Sequence, residues 1–357
     1  MNTADMQDVR DRASELRGRY EALKHAEPSL RARDAAARLD ASEAELLACR
    51  CGDGVERLDG DVETLLKRLE RLGPVMALTR NEHAVHEKTG VYRNLRFGGP
   101  HALVLDRQID LRLRLDHWAF GFAVEEAAVA GTRRSLQFFD SAGTAVHKIH
   151  LIPDSDDGAF AELVARHRGT EQMPWIRVQP SSRQSPGRGI EDVHAFRETW
   201  RGMQDTHDFL ALMRRHGVSR HRALQAAPDG FAREVTTDAP RRVLEAAAAS
   251  GTSIMVFVGN RGATQIHTGP VHRLRTVGGW FNVLDSGFNL HFAEAGVASA
   301  YVVRKPTRDG IITSLEVFDG TGETVALFFG ERERGAPEAV AWRDLVGMLP
   351  AAAEESA

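Results

Sequence analysis

The stretch from Trp200 to Arg220 contains the residues whose types and spacing best suit a chemical role. It places His207 early in a helical segment, and Arg220 follows thirteen residues later, across a Gly-Val-Ser turn. A neutral imidazole is a good ligand for iron, haem iron included, and a guanidinium pairs well with a carboxylate such as a haem propionate. The simpler interpretation is that His207, one of fifteen histidines, only lies on a helix, because isolated histidines are seldom ligands.

Other motifs of catalysis are missing from the sequence. It contains no Gly-rich phosphate loop, no Gly-x-Ser-x-Gly elbow and no His-Glu-x-x-His motif. The spacing of His83 and His86 would suit a metal only on a helix, whereas this run is typical of a sheet, where alternation separates the two side chains. In the run 109–115 the polar residues, Arg112 among them, share one face. That face is either solvated or presents an arginine to an anion in a cleft.

Length and composition limit the class of protein. The chain has 357 residues, which is enough for two domains, and its 42% hydrophobic and 27% charged residues are typical of a globular fold. A net charge of −4 gives no basic excess for nucleic acid or anionic lipid. Cys49 and Cys51 are too close for an unstrained disulfide, so we expect reduced thiols without a functional role. The charged N-terminus lacks the apolar core of a signal peptide, and no apolar run reaches membrane-spanning length. We therefore expect a cytoplasmic protein that is not embedded in a membrane.

An internal repeat organises the chain. Displacing the sequence by 179 positions aligns Met76–His150 with Met255–Phe329 without a gap, and 21 of the 75 pairs are identical. Both copies alternate apolar and polar residues in short runs separated by Gly and Asp, which is typical of antiparallel sheets. The segments ahead of the sheets are helical in pattern, and Ser42 corresponds to Ser219. The sequence therefore predicts an α+β fold made by tandem duplication, in which each unit is a large antiparallel β-sheet flanked by helices and a pseudo-twofold relates the units.

The repeat also sets the predicted domain bounds. We expect a first domain over residues 1–165, a linker over 166–191 that is rich in Pro, Gly and Ser, a second domain over 192–350, and a solvated tail over 351–357. Two related sheets make a cleft where ligands tend to bind. The copies differ at polar positions, for example Arg112 against His291. One site built from both copies explains that divergence better than two equal sites.

The first helices allow one alternative function. Ser42 with Glu45 three residues later forms a capping box, and the short turn at Asp40 before it resembles a helix-turn-helix. A DNA-binding regulator is the corresponding hypothesis. The acidic start of the second helix and the negative net charge both disfavour binding to DNA.

Several ordered motifs resemble the haemin-degrading or haemin-transport proteins of bacterial haem uptake, the HemS/HmuS family. The resemblance covers residues 20–348, including the duplication. The runs that carry it are Met76–Gly90, Ile109–Leu113, Trp118, Arg134–Asp140, Phe257–Gly262, Arg304–Thr307 and Thr313–Glu316.

The resemblance implies a set of haem-binding residues. The family's proximal ligand lies in a Trp-Arg-x-Met-x-Asp-x-His-x-Phe run, which here extends from Trp200 to Phe209 and makes His207 the axial ligand of the haem iron. His194 lies in a superficially similar run but lacks the tryptophan seven residues upstream, so we prefer His207. The family's arginines, which meet the propionates or the distal face, correspond to Arg112, Arg220 and Arg332. Phe329 stands where the family often has tyrosine, which puts any distal tyrosine role in doubt.

The implied function is the handling of imported haem in the cytoplasm. Iron protoporphyrin IX (haem b) is the expected ligand, and the first hypothesis is oxidative degradation that releases iron with electrons from an external donor. The alternative is a carrier that passes haem to a separate haem oxygenase. An inner-membrane haem importer is a further expected partner, and nucleic acid is not.

Overall fold

The structure is a computed structural model that describes residues 3–128, 131–180, 189–333 and 335–352. Residues 181–188 of the predicted linker and 353–357 of the predicted tail lie outside the described residues. The predicted α+β class is confirmed, because the chain forms large antiparallel sheets flanked by helices. None of the helices in the described part is both long and apolar enough to cross a membrane.

The chain runs twice through a similar series of helices followed by strands. The α-helices are α1 (Thr3–Ala26), α2 (Ala32–Arg38), α3 (Glu43–Ala48), α4 (Val62–Leu66), α5 (Asp157–His167), α6 (Val193–Arg201), α7 (Asp208–His216), α8 (Arg220–Gln225), α9 (Ala239–Ser250) and α10 (Val340–Gly347). The strands are β1 (Val55–Leu58), β2 (Val75–Arg80), β3 (Ala84–Gly90), β4 (Leu95–Gly98), β5 (His101–Leu105), β6 (Asp110–Arg114), β7 (Phe120–Ala128), β8 (Gly131–Phe139), β9 (Ala145–Leu151), β10 (Ala232–Val235), β11 (Ile254–Gly259), β12 (Ala263–Gly269), β13 (Leu274–Val277), β14 (Trp280–Asp285), β15 (Phe288–Ala293), β16 (Ser299–Thr307), β17 (Gly310–Phe318) and β18 (Thr324–Gly330).

Two compact units divide these elements. Unit 1 comprises Met1–Thr79, Lys88–Ser182 and Asn260–Thr264. Unit 2 comprises Arg80–Glu87, Arg183–Gly259 and Gln265–Ala357. Each unit therefore consists mainly of one repeat and includes a short segment from the other repeat.

Unit 1 contains antiparallel strands in the order β1-β7-β8-β9-β2 and a second antiparallel set, β4-β5-β6. Strand β6 alternates as predicted, because Leu111 and Leu113 are buried while Arg112 is not. Helix α5 buries Phe160 and Leu163 in the same core cluster as these leucines. The apolar periodicity of the sequence thus accounts for the core of this unit.

Unit 2 repeats this plan with strands in the order β10-β16-β17-β18-β11 and a second set, β13-β14-β15. Helices α9 and α10 bury Leu244 and Trp342 in the main core cluster. A separate cluster forms beneath α6 and α7, around Trp200, Phe209 and Phe318. This second cluster fixes the helices that carry His207 and Arg220.

Equivalent asparagines make the same contacts in the two units. In unit 2 the Asn81 Oδ1 accepts hydrogen bonds from the backbone N–H groups of His83 and Ala84, and its Nδ2 donates to the Val325 carbonyl at 2.8 Å. In unit 1 the Asn260 Oδ1 accepts from Gly262 and Ala263, and its Nδ2 donates to the Val146 carbonyl at 2.8 Å. The displacement of 179 residues relates every one of these partners, as a tandem duplication requires.

Local motifs repeat in the same way. The predicted capping box is confirmed: the Ser42 hydroxyl accepts from the Glu45 N–H, and the Glu45 carboxylate accepts from the Ser42 N–H. Ser219 caps α8 in unit 2 through the Arg222 N–H. Strands β8 and β9 form a hairpin, and the Asp140 carboxylate closes its turn by accepting from the Thr144 N–H.

Candidate functional site

His207 lies at the start of α7, in the loop that joins α6 to α7. It is the N-cap residue, and 94% of its side chain is exposed. The helix ends at Gly217, whose φ of 61° allows the left-handed turn that leads to Arg220. The sequence prediction of a histidine at the start of a helix, followed by an arginine after a Gly-Val-Ser turn, therefore describes the local structure correctly.

The inner face of α7 anchors this loop to unit 2. Phe209, two residues after His207, is buried with its ring 4.6 Å from the Trp200 ring. The Trp200 Nε1 donates to the Arg304 carbonyl at 3.1 Å. The tryptophan of the sequence motif thus joins α6 to a strand of the sheet, which holds the start of α7 in place. His194, the alternative in the sequence, is exposed on α6.

A charge cluster lies under α7 and is formed by Arg220, Lys305 and Glu316. Glu316 is fully buried and accepts from Arg220 Nη1 at 2.8 Å and from the Ser314 hydroxyl at 3.0 Å, while Lys305 also pairs with it. Burial by itself raises the pKa of Glu316, but the positive charges of Arg220 and Lys305 outweigh that effect and lower it to about 2. Both cations lie over the Phe209 ring, with Arg220 at 5.2 Å and Lys305 at 4.8 Å. The cluster therefore places two cations and one carboxylate beside α7.

An apolar platform on the same sheet borders the charge cluster and consists of Met255, Phe257, Leu327 and Phe329. Met255 is the cross-strand partner of Phe329, and Phe257 is the partner of Leu327. All four are half-buried, and the rings of Phe257 and Phe329 lie 5.1 Å apart. Lys305 Nζ lies 5.8 Å from the Phe329 ring centroid, which links the platform to the cluster. A flat apolar surface with cations at its border suits a flat apolar ligand that carries negative groups.

The two other predicted arginines have different surroundings. Arg332 is in unit 2, where its Nη1 lies 3.8 Å from an Asp309 carboxylate oxygen. Hydrogen bonds from His207 lower the pKa of Asp205, and the positive charge of Arg332 lowers it further. Arg112 belongs to unit 1, is partly exposed on β6 and pairs with Asp110. Unit 2 therefore contains four of the five predicted site residues, and Arg112 lies in the other unit.

Sequence reasoning missed Lys305, Glu316 and Asp205. Lys305 and Glu316 belong to runs that carried the family resemblance, but they received no role. Their only signal was a charged residue within a predicted strand, and such residues usually lie on a solvated face. The signal for Asp205 was its position two residues before His207, where an aspartate side chain can bond the backbone.

Unit 1 has a cavity with a mixed polar and apolar lining, and this lining includes two of the four positions that correspond to the platform. Its volume is about 870 Å³, and Gln137, Lys148 and His150 are among its lining residues. By the displacement of 179 residues, Lys148 corresponds to Leu327 and His150 to Phe329. Lys148 forms an ion pair with Glu43 at 3.1 Å. Two of the four platform positions are therefore polar in unit 1, whereas Met76 and Leu78 keep the other two apolar.

Comparison with known protein families identifies the repeat. The model of the haemin-degrading HemS/ChuX domain matches this chain twice, over residues 40–167 and 217–349. The chain is 38% identical over 331 residues to the haemin transport protein HemS of Yersinia enterocolitica, which covers 92% of this chain and 96% of that protein.

Solved structures agree with this result. The haem-binding protein PhuS from Pseudomonas aeruginosa, in its holo form, is 44% identical and superimposes with a TM-score of 0.93 over 95% of this chain and 99% of its own. The haem-degrading enzyme ChuS from Escherichia coli O157:H7 is 37% identical and gives a TM-score of 0.89 over 95% and 99% of the two chains. The similarity thus extends over nearly the whole of each protein.

Proposed function

We propose that this chain, which belongs to the haemin-degrading HemS/ChuX domain family, binds haem on unit 2 with His207 as the axial ligand of the iron. The observation that carries the proposal is the apolar platform of unit 2 beside the charge cluster and the helix that begins at His207. Haem has a wide apolar disc, a Lewis-acidic iron and two carboxylates. The platform offers apolar contact, His207 offers a nitrogen donor, and Arg220 and Lys305 offer positive charge.

The contributions of these groups differ in size. Burial of apolar surface contributes about 25 cal/mol per Å², so the contact with the disc supplies most of the affinity. Each charge-assisted contact between an arginine and a propionate contributes roughly 1.5–3 kcal/mol and orients the ring. We assign these contacts to Arg220 and Arg332 of unit 2; Arg112, the third arginine that the resemblance implied, belongs to unit 1. Arg220 already donates to Glu316 through Nη1, so its other nitrogens are the ones assigned to a propionate.

Within this family, we propose that the bound haem is iron protoporphyrin IX imported into the cytoplasm and that the protein degrades it to release iron. Oxidative opening of the ring consumes O2 and electrons, which a separate reductase supplies. The residues of this chain hold the ring and ligate the iron. The 37% identity to a haem-degrading enzyme over 95% of the chain supports this role.

A second candidate function is the delivery of haem to a separate haem oxygenase. The exposure of His207 favours it, because an acceptor protein can approach a ligand whose side chain is 94% exposed. A carrier needs its ligand to be exchangeable, and a single histidine in an open loop satisfies that need. An inner-membrane importer would then be the source of the haem.

One titration tests the site. Haemin added to the purified protein is expected to give a saturating Soret shift, which His207→Ala abolishes or strongly alters. His194→Ala is the matched control, because it changes an exposed histidine on the preceding helix and is expected to behave as the wild type. Reversed behaviour of the two variants would place the ligand elsewhere.

A second experiment separates the two roles. The haem-loaded protein is incubated with ascorbate or a reductase system in the presence of catalase. Loss of the Soret band with formation of a linear tetrapyrrole supports degradation. Persistence of the band, followed by transfer to an added haem oxygenase, supports delivery.

A further inference from the structure

The loop that carries His207 is held by two carboxylates. Asp208 Oδ2 accepts hydrogen bonds from the backbone N–H groups of Gln204 at 2.9 Å and Asp205 at 3.0 Å. Asp205 Oδ1 accepts from the backbone N–H of His207 at 2.8 Å. These three bonds fix the backbone between α6 and α7 and place the His207 side chain towards solvent.

The same Asp205 oxygen also contacts the imidazole. Asp205 Oδ1 lies 2.5 Å from His207 Nδ1, so one carboxylate oxygen holds both the backbone and the ring of the same residue. A carboxylate can only accept a hydrogen bond, and Nδ1 must therefore carry the proton. The neutral ring then keeps its lone pair on Nε2, the nitrogen that is free of this contact.

We propose that Asp205 is a positioning residue that selects Nε2 of His207 as the iron ligand and strengthens it as a donor. This inference rests on the proposed function, in which His207 binds the haem iron. The carboxylate holds the ring at one orientation and one tautomer before haem arrives. Because it accepts the Nδ1 proton, it also increases the electron density on the opposite nitrogen.

The exposure of Asp205 limits how much this carboxylate can change the affinity of the protein for haem. Loss of such an outer partner typically lowers metal affinity by 10–100-fold. Asp205 and His207 are both largely exposed, at 63% and 94% of their side chains, so water competes for the contact. We therefore expect a change of about tenfold, at the lower end of that range.

The test uses Asp205→Asn and Asp205→Ala in the full-length, haem-loaded protein. Asparagine retains an oxygen that accepts from Nδ1 and from the backbone but removes the negative charge, whereas alanine removes both. Asp192→Asn is the matched control, because Asp192 caps α6 by accepting from the Ala195 N–H at 2.9 Å and its replacement removes the same charge. The two measurements are the rate of haemin transfer to apomyoglobin and the iron–histidine stretching frequency of the ferrous protein.

The expected order of transfer rates is wild type, then Asp205→Asn, then Asp205→Ala, with the last about tenfold faster than the first. The stretching frequency should fall in both variants, because a weaker donor makes a weaker bond to iron. A merely structural loop would change the rate without lowering the frequency in Asp205→Asn.

Failure of this inference is distinct from failure of the proposed function. If His207→Ala keeps the wild-type spectrum, then the proposed ligand is wrong. If His207→Ala loses that spectrum while Asp205→Asn matches the wild type in rate and frequency, then only the role of Asp205 is overturned. Equal changes in Asp205→Asn and Asp192→Asn would also overturn it, since they would indicate a general effect of charge.

Discussion

Replacement of Glu316 by glutamine should destabilise the protein strongly. Glu316 and Lys305 are both almost completely buried and form an ion pair, and Arg220 donates to the same carboxylate. Glutamine keeps the shape but leaves the Lys305 ammonium buried without a negative partner. Breaking a buried pair in this way costs roughly 3–5 kcal/mol. Arg220 is 25% exposed, so water can replace the contact that it loses with Glu316. We therefore expect the free energy of unfolding to fall by about 3 kcal/mol, mainly because Lys305 is left buried without a partner.

The double variant Lys305→Met with Glu316→Gln separates the loss of a contact from the stranding of a charge. It leaves no unpaired buried charge, so we expect it to recover most of the lost free energy of unfolding. The equivalent strand of unit 1 has the buried Gln137 at the position that corresponds to Glu316.

Urea unfolding followed by far-UV circular dichroism measures both variants. A loss of about 3 kcal/mol moves the unfolding midpoint by roughly 1 M or more when the slope is about 1–3 kcal/mol per M. A single variant within 1 kcal/mol of the wild type, on the order of the scatter of surface substitutions, would refute the argument. So would a double variant that is no more stable than Glu316→Gln.

Three further predictions concern the two units. Haemin should bind with one-to-one stoichiometry, and Leu327→Lys, which copies Lys148 of unit 1, should weaken binding tenfold or more in the same titration; two haemins per chain would contradict this. Asn81→Ala and Asn260→Ala should each lower the free energy of unfolding by about 2–3 kcal/mol in urea, because each amide bonds several backbone groups; unequal effects would contradict the equivalence of the repeats. Burial lowers the pKa of His147 to about 3, so this residue is protonated at a higher pH in the unfolded chain than in the folded one. As the pH falls from about 6.5 to 3, up to roughly 4 kcal/mol of the free energy of unfolding is therefore lost. His147→Ala should flatten that part of an acid-unfolding profile followed by circular dichroism, and an unchanged profile would count against the assignment.

Features that depend on nearby residues were predictable from the sequence. The capping box at Ser42 depends on a residue three positions away, and the hairpin turn at Asp140 depends on a residue four positions away. The alternation along 110–114 lies within a single strand. The displacement of 179 residues then extended these local patterns to a duplicated fold without any knowledge of contacts. The pattern of the stretch from Trp200 to Arg220 placed His207 correctly at the start of a helix.

Features that depend on contacts between distant residues were not predictable. Arg80–Glu87 belongs to unit 2 and Asn260–Thr264 to unit 1, although the sequence places each segment within the other repeat. Asn81 illustrates the reason, because its amide bonds residues 178 and 244 positions away. No periodicity in a single sequence reports such pairings. Nor could charge pattern show that Lys305 points inward, since its burial depends on Glu316 from the next strand.

The divergence of the two repeats supports the proposal that unit 2 binds the haem. In unit 1 the buried His147 contacts the Thr79 hydroxyl at 2.8 Å and the Tyr92 hydroxyl at 2.6 Å, whereas the corresponding residues of unit 2 are Ala326, Val258 and Val271.

Strand β9 also presents Lys148 and His150 on its other face, where β18 presents Leu327 and Phe329. Strand β18 is therefore apolar on both faces, and one face is only half-buried. A contiguous apolar surface that stays partly exposed costs solubility and usually marks a binding site. Retention of that surface in unit 2, beside the buried Lys305 and the partly exposed Arg220, is the physical reason to propose that the haem binds on this unit.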